Sequence, residues 1–265
     1  MKCIELLQAL EKQMPLHLAM DWDNAGLLLG RGQKEIQRIF IALDATGEVV
    51  EEALKAKADL ILTHHPVLFS PVKRLTDETP FGKKLLKLLA ADIAVISMHT
   101  NYDIAPGCMA DLAGDRLDLT HREPLEETGV DEKGENIGVG KVGELQKPLT
   151  LSQLAGLVKT RFDLQGLVVF GSQCIQEPVQ RVAVSPGSGR GMKAFAIQKG
   201  AKVLITGDIS HHEGLDAAEE GLCIIDAGHY GLEHIFIRDM EKRVKALDPG
   251  IAIRVYGGSN PIKFI

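Results

Sequence analysis

Short apolar runs alternate along the chain with longer segments whose apolar positions recur at helical spacing. The runs at 38–43, 59–63 and 93–98 predict buried strands, and the segments 48–58 and 81–91 between them predict helices. Continuous apolar strands separated by helices are typical of a parallel sheet that is covered by helices on both faces. The first hundred residues therefore predict an α/β domain.

The pattern breaks at 122–147, which is rich in Glu, Gly and Lys, and then resumes. We interpret this stretch as a linker or exposed hairpins, and as a domain boundary. Beyond it the sequence predicts a helix over 151–162, with Ser152 as a possible cap. Further strands are predicted at 167–170, 181–185, 202–206, 222–226 and 251–256.

Length and composition indicate an ordinary globular protein of one large or two medium domains. The 265 residues are 45% apolar and 25% charged, with a net charge of −6. This charge argues against a non-specific nucleic-acid binder, although it leaves room for a local basic patch. The four cysteines form no C-x-x-C pair, which favours reduced thiols in a cytoplasmic protein. We expect neither a signal peptide nor a transmembrane helix.

Potential metal ligands follow three of the predicted strands. Strand 59–63 runs into His64 and His65, strand 93–98 into His99 and Asp103, and strand 222–226 into His229 and Glu233. In open parallel sheets, binding sites form beyond the carboxyl ends of the strands. Three separate segments can therefore deliver imidazole and carboxylate groups to one crevice.

Each of these residues also has a structural interpretation. Adjacent histidines on an extended segment point to opposite sides, so His64 and His65 would serve neighbouring ions only if the chain turns between them. Otherwise one ring packs and the other is solvated. His229 and Glu233 lie about 5–6 Å apart at Cβ if a helix starts near residue 228, as in any exposed helical pair.

Two residues after strand 93–98 have further alternatives. Asp103 is a carboxylate that could bridge two cations, or a turn residue before Pro106. His99 is a ligand, a partner that orients ligands, or a packed side chain, and we favour the orienting role.

The combined set of three imidazoles and two carboxylates favours Zn, Fe, Mn, Co or Ni over Ca or Mg. A pair of such ions roughly 3.5–4 Å apart can activate water as a nucleophile. Two Gly-containing strand ends give weaker signals. The turn 186–191 could present N–H groups to an anion but reads better as a packing turn, and 206–213, with His211, could line the cleft or cap a helix.

Motifs spread over nearly the whole chain resemble the GTP cyclohydrolase 1 type 2 homologues, also called NIF-three-like proteins. They are Trp22–Leu27, Leu43–Thr46, Thr63–Pro66, His99–Asp103, Thr206–Asp208 and Gly228–Glu233. The resemblance implies metal ligands at His64, His65, Asp103, His229 and Glu233, and a short form of the family. Ser185 stands where some relatives place Cys.

The resemblance also implies two α/β domains with parallel or mixed sheets flanked by helices, the second inserted into the first. We expect 1–125 and 222–265 to form the metal-binding domain and 126–221 the insert. Residues 150–205 should then lie in a different sheet from 40–100. A homohexameric ring is implied as well.

Two functions are open at this point. One is a metal-dependent hydrolase that acts on a nucleotide-like small molecule with two divalent transition-metal ions, in which His99 and His211 shuttle protons. The other is a non-catalytic metal-binding, ring-forming regulatory or assembly protein.

Overall fold

The computed structural model describes residues 1–258, 260–263 and 265, and the chain divides into two compact units. Unit 1 comprises Met1–Tyr102 and His234–Ser259, and unit 2 comprises Asp103–Glu233 and Asn260–Ile265. Unit 2 is inserted into the sequence of unit 1. The predicted fold class of two α/β domains, the second inserted into the first, is confirmed.

Unit 1 is built on a five-stranded sheet with the order β1-β4-β3-β2-β11. Its strands are β1 (Gly26–Leu29), β2 (Arg38–Ala42), β3 (Leu60–Thr63), β4 (Ala94–Ser97) and β11 (Ala252–Val255). Its helices are α1 (Cys3–Glu11), α2 (Gly47–Lys55), α3 (Pro80–Ala90) and α10 (Ile235–Leu247), and α4 (Thr100–Ile104) begins in this unit. All neighbouring strands pair in parallel except β1, which runs antiparallel to β4.

The predicted apolar runs form strands whose side chains are buried on both faces of the sheet. Every residue of β3 and β4 is buried. On one face, Phe40, Ile61 and Val95 pack with apolar residues of α2 and α3. Helix α2 begins where the Thr46 hydroxyl accepts from the Val49 N–H at 3.2 Å, a cap that contributes about 1 kcal/mol.

Unit 2 is built on a six-stranded sheet with the order β5-β6-β8-β9-β10-β7. Its strands are β5 (Thr120–Val130), β6 (Asn136–Leu149), β7 (Val168–Phe170), β8 (Val179–Ser188), β9 (Val203–Gly207) and β10 (Cys223–Asp226). Its helices are α5 (Met109–Arg116), α6 (Leu151–Arg161), α7 (Met192–Gln198), α8 (His211–Glu219) and α9 (His229–Glu233). Strands β8, β9 and β10 are parallel to one another, whereas the other pairs in this sheet are antiparallel, so the sheet is mixed.

The polar stretch at 122–147 is a hairpin rather than a boundary between domains. It forms most of β5 and β6, which pair with each other, and β6 also pairs with β8. Cross-strand pairing and the burial of Leu125 and Val142 hold this segment in the sheet. Unit 2 begins at Asp103 instead of 126. The side chain of Thr150, rather than Ser152, caps α6 by accepting from the Gln153 N–H at 3.3 Å.

The expected return to unit 1 at residue 222 is also wrong. Strand β10 pairs with β9 in parallel, with Ile225 opposite Ile205, and with β7 antiparallel. It therefore belongs to the sheet of the insert, and the chain re-enters unit 1 only at His234. The expected separation of 150–205 from 40–100 into different sheets is confirmed.

Within the described residues, no helix has the length and apolarity needed to cross a membrane. None of the four cysteines, all of which lie in the described part of the chain, is in a disulfide.

Candidate metal centre

One edge of the unit 1 sheet collects polar side chains that are far apart in sequence. The parallel strands β2, β3 and β4 end there, and Asp44, His64, His65 and His99 follow them. Strand β1 runs the other way and pairs Gly26 with Ser97, so it begins at this edge, just after Asp23. The direction of the strands therefore explains why these residues meet.

The chain turns immediately after β3, and this turn brings two adjacent histidines together. The N–H groups of His64 and His65 both donate to the carbonyl of Leu43, at 3.2 and 3.1 Å. As a result the two ring centroids are 4.9 Å apart instead of on opposite sides of an extended chain. The condition under which both histidines can serve one site is met.

His99 joins the same cluster. One ring nitrogen from each of His64, His65 and His99 lies within 4.8 Å of the others. Two ligands of one ion, each about 2.0–2.1 Å from it, lie at most about 4.2 Å apart. The three nitrogens are thus close to the spacing of a metal site. By this distance His99 is a potential ligand itself, in addition to the orienting role that the sequence favoured.

Each ring of this cluster is oriented by an oxygen that accepts from its Nδ1. The Nδ1 atom of His64 is 2.8 Å from the Met98 carbonyl oxygen, that of His65 is 2.8 Å from Asp44, and that of His99 is 2.7 Å from Asp23. A carbonyl or carboxylate oxygen can only accept, so Nδ1 carries the proton and Nε2 of the neutral ring carries the lone pair. This is the tautomer that a metal ligand requires.

The carboxylate of Asp23 is saturated by hydrogen bonds. Besides His99, it accepts from the Thr100 N–H at 3.0 Å, from the Thr100 hydroxyl at 2.5 Å and from the Asn24 N–H at 2.6 Å. Burial alone would raise its pKa, but the hydrogen bonds from His99 and Thr100 outweigh burial and lower the pKa to about 2. Asp23 is therefore an anion that holds the His99 ring in place.

Unit 2 contributes a second set of donors at the end of its own parallel strands. Helix α9 starts at His229 and ends at Glu233, so the two side chains lie one turn apart on one face, as the i, i+4 spacing predicted. The His229 Nδ1 is 2.7 Å from Asp208, and its Nε2 is 3.0 Å from the Glu233 carboxylate. Two ligands at right angles on one ion would be about 3 Å apart.

Asp103 completes the donors of unit 2. One of its carboxylate oxygens lies within 4.8 Å of a carboxylate oxygen of Glu233. Glu233 is only 3% exposed, and Asp103 is half-buried. A buried carboxylate is costly unless a cation or hydrogen-bond donors compensate its charge, so two neighbouring carboxylates and an imidazole form a set of ligands suited to a cation.

The loops of unit 2 approach these side chains so closely that only glycine fits at two positions. A Cβ on Gly207 would lie 2.4 Å from the His229 backbone nitrogen, and one on Gly187 would lie 2.4 Å from the Glu233 Oε1. Gly187 also has a φ of +81°, which a side chain rarely adopts. The Gly-rich turn at 186–191 thus packs against the Glu233 side chain, in agreement with the packing interpretation.

Comparisons with known proteins show the family of this chain. A family model described as Duf34/NIF3 (NGG1p interacting factor 3) matches residues 1–260. The chain belongs to the Duf34/NIF3 family. It is 34% identical to the "GTP cyclohydrolase 1 type 2 homolog" of Clostridium perfringens over the full length of both chains. It is 38% identical to the Streptococcus pneumoniae protein of the same name over 88% of this chain and 86% of that one.

A solved structure of the Duf34/NIF3 type shares the fold. The Bacillus cereus protein related to NIF3 superposes with a TM-score of 0.89 at 26% identity, covering 100% of this chain and 99% of that one. The predicted resemblance is therefore confirmed.

Several residues that orient the histidine rings in this Duf34/NIF3 chain received no role from the sequence. Asp23, Asp44 and Asp208 stand within the motifs that carried the resemblance, yet nothing in their spacing indicates which histidine each would contact. They are 76, 21 and 21 residues from their partners. The Met98 carbonyl carries no side-chain signal at all. The sequence showed only that Asp44 and Asp208 follow strands, at the same strand ends as the histidines.

His211 is not grouped with these donors. It is the first residue of α8, it is exposed, and its nearest ring partner is His212 at 5.4 Å. Among the described residues, no cluster of potential metal ligands includes it.

The donors fit a transition metal. All are imidazole nitrogens or carboxylate oxygens, and the set includes no thiolate. Such mixed N and O sets suit Zn, Fe, Mn, Co or Ni, whereas Ca and Mg prefer oxygen ligands alone.

Proposed function

We propose that this Duf34/NIF3 protein is a dinuclear metal-dependent hydrolase that acts on a nucleotide-like small molecule. One observation supports the proposal most strongly. Four histidines, at 64, 65, 99 and 229, each have Nδ1 hydrogen-bonded to an oxygen acceptor. A packed histidine needs no such uniform tautomer, whereas a set of metal ligands does.

In this proposal the metal ligands are a mixture of neutral and negatively charged groups. His64 and His65 supply neutral nitrogens, whereas Asp103, His229 and Glu233 supply one nitrogen and two negative charges, so that the five residues hold about two divalent ions. Two divalent cations carry more charge than two carboxylates neutralise. The remaining positive charge favours an anionic substrate such as a nucleotide phosphate.

A pair of divalent metal ions supplies Lewis acidity and activates water toward an electrophilic carbon or phosphorus. The chain itself supplies proton transfer. The Asp23 carboxylate accepts from the His99 Nδ1, which leaves the His99 Nε2 to accept a proton during hydrolysis and return it. His211, exposed at the start of α8, is the second proposed proton carrier. The relatives' printed name points to a guanine nucleotide as the first substrate to test.

The test is to incubate metal-loaded protein with a panel of nucleotides and to detect products by mass spectrometry. We expect metal-dependent turnover of at least one nucleotide, and a large loss of turnover in the isosteric variant Glu233→Gln. The control is His234→Ala, the neighbouring residue that precedes α10. Turnover that survives in Glu233→Gln, or a metal-loaded protein that converts no nucleotide, contradicts the hydrolase proposal.

We also propose that copies of the chain form a homohexameric ring in the cytoplasm. The motif-based resemblance supports this assembly, and the absence of cysteine pairing in the described residues supports the compartment.

A further inference from the structure

Unit 1 contains a cavity beside the three-histidine cluster that the proposed hydrolase chemistry does not use. Its volume is about 510 Å³, and its wall includes Asp23, Leu29, Leu68, Phe69, Val72 and Leu85. This volume falls within the range of about 300–1,000 Å³ that is usual for small-molecule sites. Asp23 joins the cavity to the cluster, because the same carboxylate accepts from His99.

Aromatic side chains extend from the cavity to His99. Phe69, in the cavity wall, is 54% exposed, and Trp22 is 59% exposed. Their ring centroids are 6.0 Å apart with an interplanar angle of 47°, and Trp22 meets His99 edge-on at 6.1 Å. Neighbouring exposed apolar side chains beside a concave surface are typical of a ligand-binding groove or a protein contact.

The polar groups at this cavity are few. The Asp23 carboxylate is already saturated by four hydrogen bonds, so it offers little to a ligand. Asn24 and Ser70 remain as polar wall residues, and the Asn24 amide also donates to the Leu68 carbonyl, which ties the wall together. A wall that is mostly apolar, with aromatic rings and a few acceptors, suits an uncharged planar ring that bears N–H groups.

We propose that this cavity binds a planar heteroaromatic ring, such as a purine base, that stacks on Phe69 next to Trp22. Only the role of this ring depends on the proposed hydrolase function: the bound ring would place an attached reacting group beside His99. Ring binding itself requires no metal ion.

Trp22 provides a direct probe, because it is the only tryptophan in the chain. Its emission is followed in chelator-treated protein during titration with adenosine. Ribose serves as the control that lacks the ring, and cyclohexanol as the apolar control that is not planar. We expect a saturable change with adenosine, and none with ribose or cyclohexanol.

Variants then test the stacking contact. Phe69→Ala should weaken adenosine binding roughly 5- to 100-fold, the usual effect of removing a stacking aromatic. Phe81→Ala is the matched control, since Phe81 is also an exposed aromatic, at 39%, but lies in α3 and outside the cavity wall. Phe81→Ala should bind adenosine as the unaltered protein does. Circular dichroism confirms that both variants are folded.

Three results would overturn the inference. Adenosine could cause no saturable change in Trp22 emission. Cyclohexanol could change the emission as strongly as adenosine, which would show an apolar cavity without preference for a planar ring. Alternatively, Trp22 emission could change with protein concentration but not with adenosine, which would indicate that a second copy of the chain packs on this surface. Ring binding that persists in a protein without hydrolase activity would support this inference while contradicting the proposed function.

Discussion

At the scale of single residues, the carboxylates that orient histidines are the most testable part of the site. Asp44 accepts from the His65 Nδ1 at 2.8 Å. Replacing it by Asn should weaken metal binding about 10- to 100-fold, because the ring loses its orientation and part of its basicity. Competition titration with a chromogenic chelator measures the change.

Asp92→Asn is the matched control for this experiment. Asp92 has a similarly exposed side chain, 46% against 47% for Asp44, and it pairs with Arg31 just before β4 begins, at the opposite edge of the same sheet. Equal losses of metal affinity in the two variants would contradict the orienting role of Asp44.

Burial makes a residue-scale prediction about thiol chemistry. It raises the pKa of Cys223 to about 12 and that of Cys3 to about 11. The thiolate is the reactive form, so at pH 8 only about 1 in 10,000 Cys223 side chains is reactive, and the fraction rises as the pH rises toward the pKa. Alkylation followed by peptide mass spectrometry should label the half-buried Cys174 first. If Cys223 is alkylated as fast in the folded protein as in protein unfolded with urea, the prediction is wrong.

Other residue-scale features were predictable only in part. The i, i+4 spacing placed His229 and Glu233 on one helical face because a helix fixes that geometry locally. His64 and His65 lie in one cluster because the chain turns after β3. The Leu43 carbonyl fixes this turn by accepting from the N–H groups of both histidines. That contact links β3 to the end of β2, and no pattern within either strand encodes it.

At the scale of elements, replacing glycine by alanine should have opposite effects at a crowded and at an open position. Gly207→Ala places a methyl group 2.4 Å from the His229 nitrogen, so the loop must move. We expect destabilisation of roughly 1–3 kcal/mol, together with weaker metal binding. Denaturant unfolding and a chelator titration measure the two effects.

Gly156→Ala is the control, since Gly156 is exposed within α6 and a methyl group there meets nothing within 4 Å. This variant should be more stable by about 0.5–1 kcal/mol, because Ala favours the helix over Gly. A Gly207→Ala protein that matches the unaltered protein in both stability and metal affinity would contradict the close packing described for this loop.

The same scale shows why the predicted domain boundaries were wrong while the fold class was right. Apolar runs and helical spacing are local, and they identified β2, β3, β4, β9 and β10 as strands. Which sheet a strand joins depends on pairing with distant residues, as with β10 and β9. For a related reason, the sequence offered a hairpin at 122–147 only as an alternative to a linker, and it did not predict that β6 also pairs with β8.

At the scale of the whole molecule, assembly is the first prediction. We expect a closed homo-oligomer, a hexamer according to the motif-based resemblance, and closed symmetric assemblies are the usual state of soluble homo-oligomers. Light scattering coupled to size-exclusion chromatography gives the mass directly. A monomer of 28.8 kDa at micromolar concentration would refute the hexamer.

Metal binding should also stabilise the whole fold. A ligand that binds only the folded state at 100 times its dissociation constant adds about 2.7 kcal/mol, so saturation should raise the melting temperature by several degrees. Calorimetry with and without chelator tests this, and Glu233→Gln should show a smaller increase. An identical melting temperature with and without metal would count against binding to the folded protein.

The central claim is that His64, His65, Asp103, His229 and Glu233 hold a pair of metal ions. Elemental analysis of protein reconstituted separately with Zn, Mn and Fe tests this claim most directly. The proposal predicts about two ions per chain for at least one of these metals, and substantially fewer in Glu233→Gln than in His234→Ala. Protein that retains no metal after all three reconstitutions, or equal losses in the two variants, would contradict it.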